Sequence, residues 1–335
     1  MKRIISLLLA LALSLSLAAC AAPAEKADGG KLQIVTTLFP YYDFARAIAQ
    51  DRADVTLLLS PGREAHSFEP TPLDAVTISE ADVFLYNGGE GEYWVESMLG
   101  AAGENIAVVA RMMDYVDALN EEYVEGMQGA DGHDHDHEHG SHDDHDHDHE
   151  EDEHDSDEIE YDEHIWTSPK NAVVLCRAVC DAICRADAEN AAFYRANCEN
   201  YCAQLEDLDA RFAALCESAP RRLLIFADRF PMLYFCREYG LDYRAAFHGC
   251  SGDTEPSLAT IKFLIDKVED ENIPVVYTID FGTKKVAAVV SECTGAAIET
   301  LYSMQTVSRA DFDAGETYLT LMERNFEALR KGLNA

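Results

Sequence analysis

The sequence predicts an α/β fold: two doubly wound lobes with parallel-type sheets, joined by a long rigid backbone helix. Three observations carry this. Short apolar runs alternate with helical stretches from residue 32 to 111, the pattern of parallel βαβ units. From Ser168 to about Glu217 the chain reads as helix almost throughout. After Pro220 the alternation resumes. With 335 residues and 48% hydrophobic content, the chain supports about two domains.

The elements follow in order. LQIVTTLFP (32–40) is a β-rich run, and YYDFARAIAQD after it is helical. VTLLLS (55–60) is a strand closed by Pro61-Gly62, and TPLDAVTISEA a second helix. DVFLYNGG (82–89) is a strand ending in a glycine turn, followed by helical EYWVESMLGAAG and the strand NIAVVAR. The central helical stretch restarts at Asp187 and Asn190 and stops at Pro220. Its second piece, of about 30 residues, spans roughly 45 Å at 1.5 Å per residue, enough to bridge two lobes. Beyond it, RRLLIFAD, LDYRAAF, PVVYTID and AAIETL are strands. PMLYFCREYG, EPSLATIKFLIDKVEDEN, KKVAAVVSECTG and DFDAGETYLTLMERNFEALRKGLN are helices. The expected boundaries are 1–20 for a signal peptide, 21–30 for a flexible tether and 31–165 for the first lobe. Residues 166–219 hold the central helices and 220–335 the second lobe.

Between Asp131 and Glu158 the pattern breaks. His133, His135, His137, His139, His142, His145, His147, His149 and His154 are nine of the chain's 12 histidines, and carboxylates alternate with them. No apolar residue appears before Ile159, so the tract buries no core and is expected to be a mobile loop. Imidazole and carboxylate both ligate divalent cations, so the tract is read as an accessory metal-binding loop.

Net charge is −36, and the tract holds 15 of the 62 acids with no Lys or Arg. The remainder is still acidic, which argues against a nucleic-acid partner. Lys2 and Arg3 precede an apolar run, Ile4 to Leu17, that ends in Leu17-Ala18-Ala19-Cys20. That is a secretory signal, and the Cys after LAA resembles a bacterial lipobox. The implied outcome is cleavage before Cys20, lipidation of its thiol and an extracytoplasmic protein anchored to the outer face of the cell membrane. Nine further cysteines remain. Cys176, Cys180 and Cys184 stand at i, i+4, i+8, and Cys198 and Cys202 repeat the spacing; such cysteines are more often small buried hydrophobes than a metal site. An odd remainder in an exported protein suggests a weakly oxidising habitat or one free thiol.

Ligands of open α/β sheets bind beyond the carboxyl ends of strands. Three segments put metal-type side chains there: SPGREAHSFEPTP with His66, DEHIWTSPKN with His164, and LLIFADRFPMLYFCREYGL with Asp228. G-R-E-A-H-S-F-E-P resembles G-x-D-P-H-x-Y-E-P, and D-E-H-I-W-T-S-P resembles D-P-H-x-W-x-D-P. Both motifs belong to the metal-binding cluster of ABC-transporter solute-binding proteins, of the zinc-uptake type. The lipobox, the histidine loop, the long helix and Y-F-C-R-E-Y-G-L fall in the same order, so the resemblance covers residues 31 to 335.

That resemblance implies a rigid, monomeric two-lobe receptor with a metal site in the interlobe cleft, serving an ABC permease and its ATPase. It carries His66 and His164 over as ligands. The family's third ligand, a His or Glu before the Y-G-L stretch, falls at Arg229, and a guanidinium does not ligate. Asp228 serves after a one-residue shift. The fourth falls near Leu301-Tyr302-Ser303-Met304, where no acid stands; Asp280, Glu255 and His248 are the substitutes by type. Two imidazoles with carboxylates suit Zn²⁺, and Mn²⁺ gains as oxygen replaces nitrogen. The rival readings are a metal buffer or chaperone, an adhesin and a metallohydrolase. For the last, no H-E-x-x-H is present.

Overall fold

Alternation along the first strand sets the layers. In β1 (Leu32–Thr36), Ile34 enters the large central core and Val35 a smaller core on the opposite face of the sheet. The same split recurs in the second lobe. In β5 (Leu223–Phe230), Leu224 and Phe226 face the central core, while Ile225 and Ala227 face an outer one. Each sheet is therefore covered on both sides, as parallel sheets require. The computed structural model describes residues 30–63, 68–102, 105–128, 160–249, 251 and 255–334. The signal peptide with Cys20, almost all of the tether, His66 and the whole histidine tract lie outside the described residues.

The first sheet adds β2 (Ala53–Leu57), β3 (Val83–Tyr86) and β4 (Val108–Arg111) in the order β2-β1-β3-β4. The second adds β6 (Asp242–His248), β7 (Val275–Ile279) and β8 (Ala297–Leu301) in the order β6-β5-β7-β8. All pairings within both sheets are parallel, so the two lobes share one topology. The first lobe carries α1 (Phe39–Ala49), α2 (Pro72–Ser79) and α3 (Trp94–Ala102). Two helices separate the sheets in sequence: α4 (Pro169–Ala186) and α5 (Ala191–Ser218). The 28 residues of α5 span about 42 Å. Ser168 caps α4, its side chain accepting from Asn171 N, and Pro169 opens the helix where no amide donor is needed.

The second lobe adds α6 (Leu233–Tyr239), α7 (Leu258–Asp270), α8 (Lys285–Thr294), α9 (Arg309–Ala314) and α10 (Tyr318–Asn334). The single C-terminal helix read from sequence is thus two. Gly315 takes a left-handed conformation at φ +77° and stops α9. Strand β2 also begins earlier and ends earlier than VTLLLS, since Leu58 and Leu59 turn inward after the strand.

Leu32–Ala335 packs as one unit. Its central core runs without a break from Ile34 through Val179 and Leu205 to Phe226 and Leu329. Asp43 of α1 ties the parts polarly. Its Oδ2 accepts from Tyr201 of α5 at 2.6 Å and from the Tyr318 amide at the start of α10 at 3.0 Å. Among the described residues no helix is long and apolar enough to cross a membrane.

Candidate metal site

His164 immediately precedes a short 3₁₀ turn (Ile165–Thr167) that leads into α4, and it is held from several sides. Asp162 accepts from the His164 amide at 2.7 Å and lies 3.1 Å from its Nδ1. The backbone around it is fixed in turn. The Asp162 amide donates to Leu119 O at 2.9 Å, and Tyr234 of α6 donates to Asp162 O at 2.8 Å. Asn87, after β3, donates to Glu163 O at 3.0 Å. Trp166 sends its indole N–H to Ser303 O, 2.7 Å away in the second lobe. Thus both lobes fix one imidazole.

Its electrostatics follow from this cage. Burial disfavours a charged His164, but the Asp162 carboxylate outweighs it, aided by Glu121 and Glu163, and the ring's pKa lies above the ordinary histidine value. With Nδ1–H donating to Asp162, Nε2 carries the lone pair. That is the orientation in which a carboxylate fixes a metal-ligating histidine.

One flank of the ring is a narrow cavity bordered by Arg229, Pro231, Phe281, Ser303 and Thr306. Gly249 closes it against the imidazole, and a Cβ there would lie 3.1 Å from His164 Nδ1 and 2.9 Å from Phe230 O. The other flank is acidic. Glu121 Oε1 lies 3.7 Å from His248 Nδ1, at the end of β6. Glu160, the first described residue after the tract, interacts with both; burial raises its pKa and His248 opposes the rise. The Tyr123 ring stands 5.1 Å from the His248 ring.

The remaining candidates from sequence are dispersed. A register shift in β5 between Phe226 and Arg229 separates Asp228 from its neighbour. Asp228 accepts from the Arg229 amide at 2.9 Å and the Ile279 amide at 3.4 Å, and its carboxylate presses on Gly282. Arg229, not Asp228, lines the cavity beside His164. Asp280 accepts from Ser303 N at 3.1 Å, so an acid does approach the segment of the expected fourth ligand, but from β7. Glu255 is exposed and pairs with Lys285 at 3.5 Å. Among the described residues, no three of these candidates bring ligand atoms within 4.8 Å of one another.

Sequence reasoning missed Glu121, Glu160 and the role of Asp162. The last was readable, since D-E-H puts a carboxylate two residues before the ligand. It also missed Glu92, which is buried near Glu163. Glu92 accepts from Gly88 N at 2.9 Å, and burial pushes its pKa up to about 7. An acid with a raised folded pKa favours folding while protonated and opposes it once ionised. Stability therefore falls as pH rises from about 4.5 through 7. Glu92→Gln is expected to raise stability at pH 8 by at most about 3 kcal/mol, with the difference vanishing near pH 4.5. Urea unfolding of both proteins across that range checks it, and a pH-independent difference would contradict it.

Residues 34–332 match the family described as the periplasmic component A of the zinc-uptake complex, ZnuA. The chain belongs to this family. The high-affinity zinc uptake system protein ZnuA of Bacillus subtilis strain 168 is 32% identical over 305 residues, covering 91% of this chain and 88% of that protein. The zinc-binding lipoprotein AdcA of Streptococcus pneumoniae R6 is 30% identical over 333 residues; the match covers 99% of this chain but 61% of AdcA. The Zn(II)-bound ZnuA-like domain of S. pneumoniae AdcA superposes with a TM-score of 0.71 at 25% identity, over 91% of this chain and 100% of that domain. This chain thus has the two-lobe fold of its family, the extracytoplasmic solute-binding component of ABC uptake complexes.

Proposed function

We propose that this chain captures Zn²⁺ outside the cell and delivers it to an ABC permease driven by its ATPase. The chain is a monomer tethered by a lipid on Cys20. The observation that carries the reading is the buried imidazole of His164, aligned by Asp162 at 3.1 Å. His66 and His164 are the imidazole ligands. Glu121 and His248 are the favoured further donors, because Glu121 acts on the His164 ring and lies 3.7 Å from His248 Nδ1. Asp228 is disfavoured, since backbone amides occupy its carboxylate. A site with two or three imidazoles and one carboxylate suits Zn²⁺, and one richer in oxygen would shift towards Mn²⁺. The chain binds and releases cargo and performs no covalent chemistry on it.

The histidine tract collects metal at low affinity and raises its local concentration beside the cleft, as a tethered ligand does. Glu160, two residues beyond the tract, supports this, because it interacts with Glu121 and His248. Two measurements test the reading. Metal analysis and anomalous diffraction of protein purified without a metal-affinity step are expected to place one tightly held zinc at His66 and His164. Deleting residues 131–158 is expected to leave that zinc in place, remove the weak binding and slow uptake at limiting zinc. A chain with no bound metal, or unchanged uptake after the deletion, would count against the receptor or the tract respectively.

A further inference from the structure

The central helix pair holds a second cluster that the cleft does not use. Cys176 and Cys180 lie one turn apart on α4, and Cys198 and Cys202 one turn apart on α5, all of them buried. Side chains at i and i+4 share a helix face, so each helix presents a pair of sulfurs to the other. The sulfur atoms of Cys176, Cys198 and Cys202 lie within 4.8 Å of one another. Cys198 and Cys202 are 3.8 Å apart, and the Cys180 thiol, one turn along α4 from Cys176, lies 3.9 Å from that of Cys184. Among the described residues this is the one group of three or more His, Cys, Asp or Glu that converges so closely.

We propose that Cys176, Cys198 and Cys202 form a three-thiolate site for a soft cation of the Zn²⁺ or Cu⁺ kind, with the nearby Cys180 available to complete it on a change of rotamer. Four sulfurs around a tetrahedral zinc at about 2.3 Å stand about 3.8 Å from each other, which is the spacing found between Cys198 and Cys202. Each ligating thiol releases its proton to solvent as the metal binds. The resulting negative charge has a counter-charge nearby, since the Arg177 guanidinium acts on both Cys198 and Cys202. The thiols do have carbonyl acceptors, Cys176 O for Cys198 at 3.8 Å and Val173 O for Cys202 at 3.9 Å, but these are weak contacts that a metal would replace.

Such a site staples α4 to α5, the helices between the two lobes, and shares no residue with the cleft. It binds metal independently of the cargo site, so the test begins from the full chain with His66→Ala and His164→Ala. That protein is reduced, stripped of metal and titrated anaerobically with Co²⁺, and in parallel with Zn²⁺ and Cu⁺. One equivalent of Co²⁺ is expected to give intense near-ultraviolet sulfur-to-metal charge transfer, a signature the histidine tract cannot produce. The band is expected to vanish in Cys198→Ala and Cys202→Ala and to persist in Cys216→Ala, a buried thiol outside the cluster. X-ray absorption of the zinc-loaded protein checks this without any cysteine variant, and a sulfur shell near ~2.3 Å is expected. Displacement of Zn²⁺ by Cu⁺, or the reverse, identifies the preferred cation. A reduced chain without the band, or an anaerobically isolated chain with Cys176 disulfide-bonded to Cys202, overturns the proposal.

Discussion

In a background where Cys198→Ala and Cys202→Ala silence the thiolate cluster, alanine at both His66 and His164 is expected to abolish the tight zinc site of the cleft and leave only the weak, plural binding of residues 131–158. Zinc sites need about four donors, and removal of both imidazoles leaves at most a carboxylate and His248 near the cleft. Isothermal titration distinguishes the outcomes directly, because the wild type gives a tight phase followed by a weak one. A tight phase that survives the double substitution would move the cargo site elsewhere. The aligning partner gives a graded version of the experiment. Asp162→Asn keeps the shape but weakens the hold on Nδ1, and outer-shell changes of this kind cost about 10–100-fold in affinity. Acid should act in the same direction. The ring of His164 is held above the usual histidine pKa, so protons compete with metal for it at a higher pH than for a free imidazole.

The fold was legible in the sequence because its signals are local. β-Branched runs between turn residues mark strands, and Ser168-Pro169 marks the start of α4. The two-face alternation of Ile34 and Val35 reads directly as a sheet covered on both sides. What stayed hidden depends on register and contrast. Asp228 and Arg229 are neighbours in sequence, and only the shift in β5 reveals which side chain turns toward His164. Glu121 and Glu160 flank a tract so rich in acid that neither stands out. The break at Gly315 was missed because the apolar residues of α9 and α10 continue one helical period across it. The cysteine spacing was visible, but its meaning depends on how α4 and α5 face each other, which no local pattern encodes.

The largest stability change is expected at Trp166. Its side chain is fully buried and meets the Tyr41 ring edge-on at 6.4 Å and the His164 ring at 5.6 Å. Removing such a side chain costs about 3–5 kcal/mol through lost burial and the cavity left behind. Trp166→Ala also takes away the donor to Ser303 O, 2.7 Å distant, and leaves that buried carbonyl without it. Trp166→Phe separates the two effects. It keeps most of the apolar volume and loses the hydrogen bond, a change worth about 1–3 kcal/mol when a buried acceptor is left unsatisfied. The indole bond crosses from the segment carrying His164 to the second lobe, so its loss should loosen the cleft as well as the core. Both variants are then expected to bind zinc more weakly, with Trp166→Phe losing affinity out of proportion to its modest destabilisation. Urea midpoints and zinc titrations on the same preparations give the comparison. If Trp166→Phe lost stability but kept wild-type affinity, the bond to Ser303 would hold the lobes together without positioning the ligand.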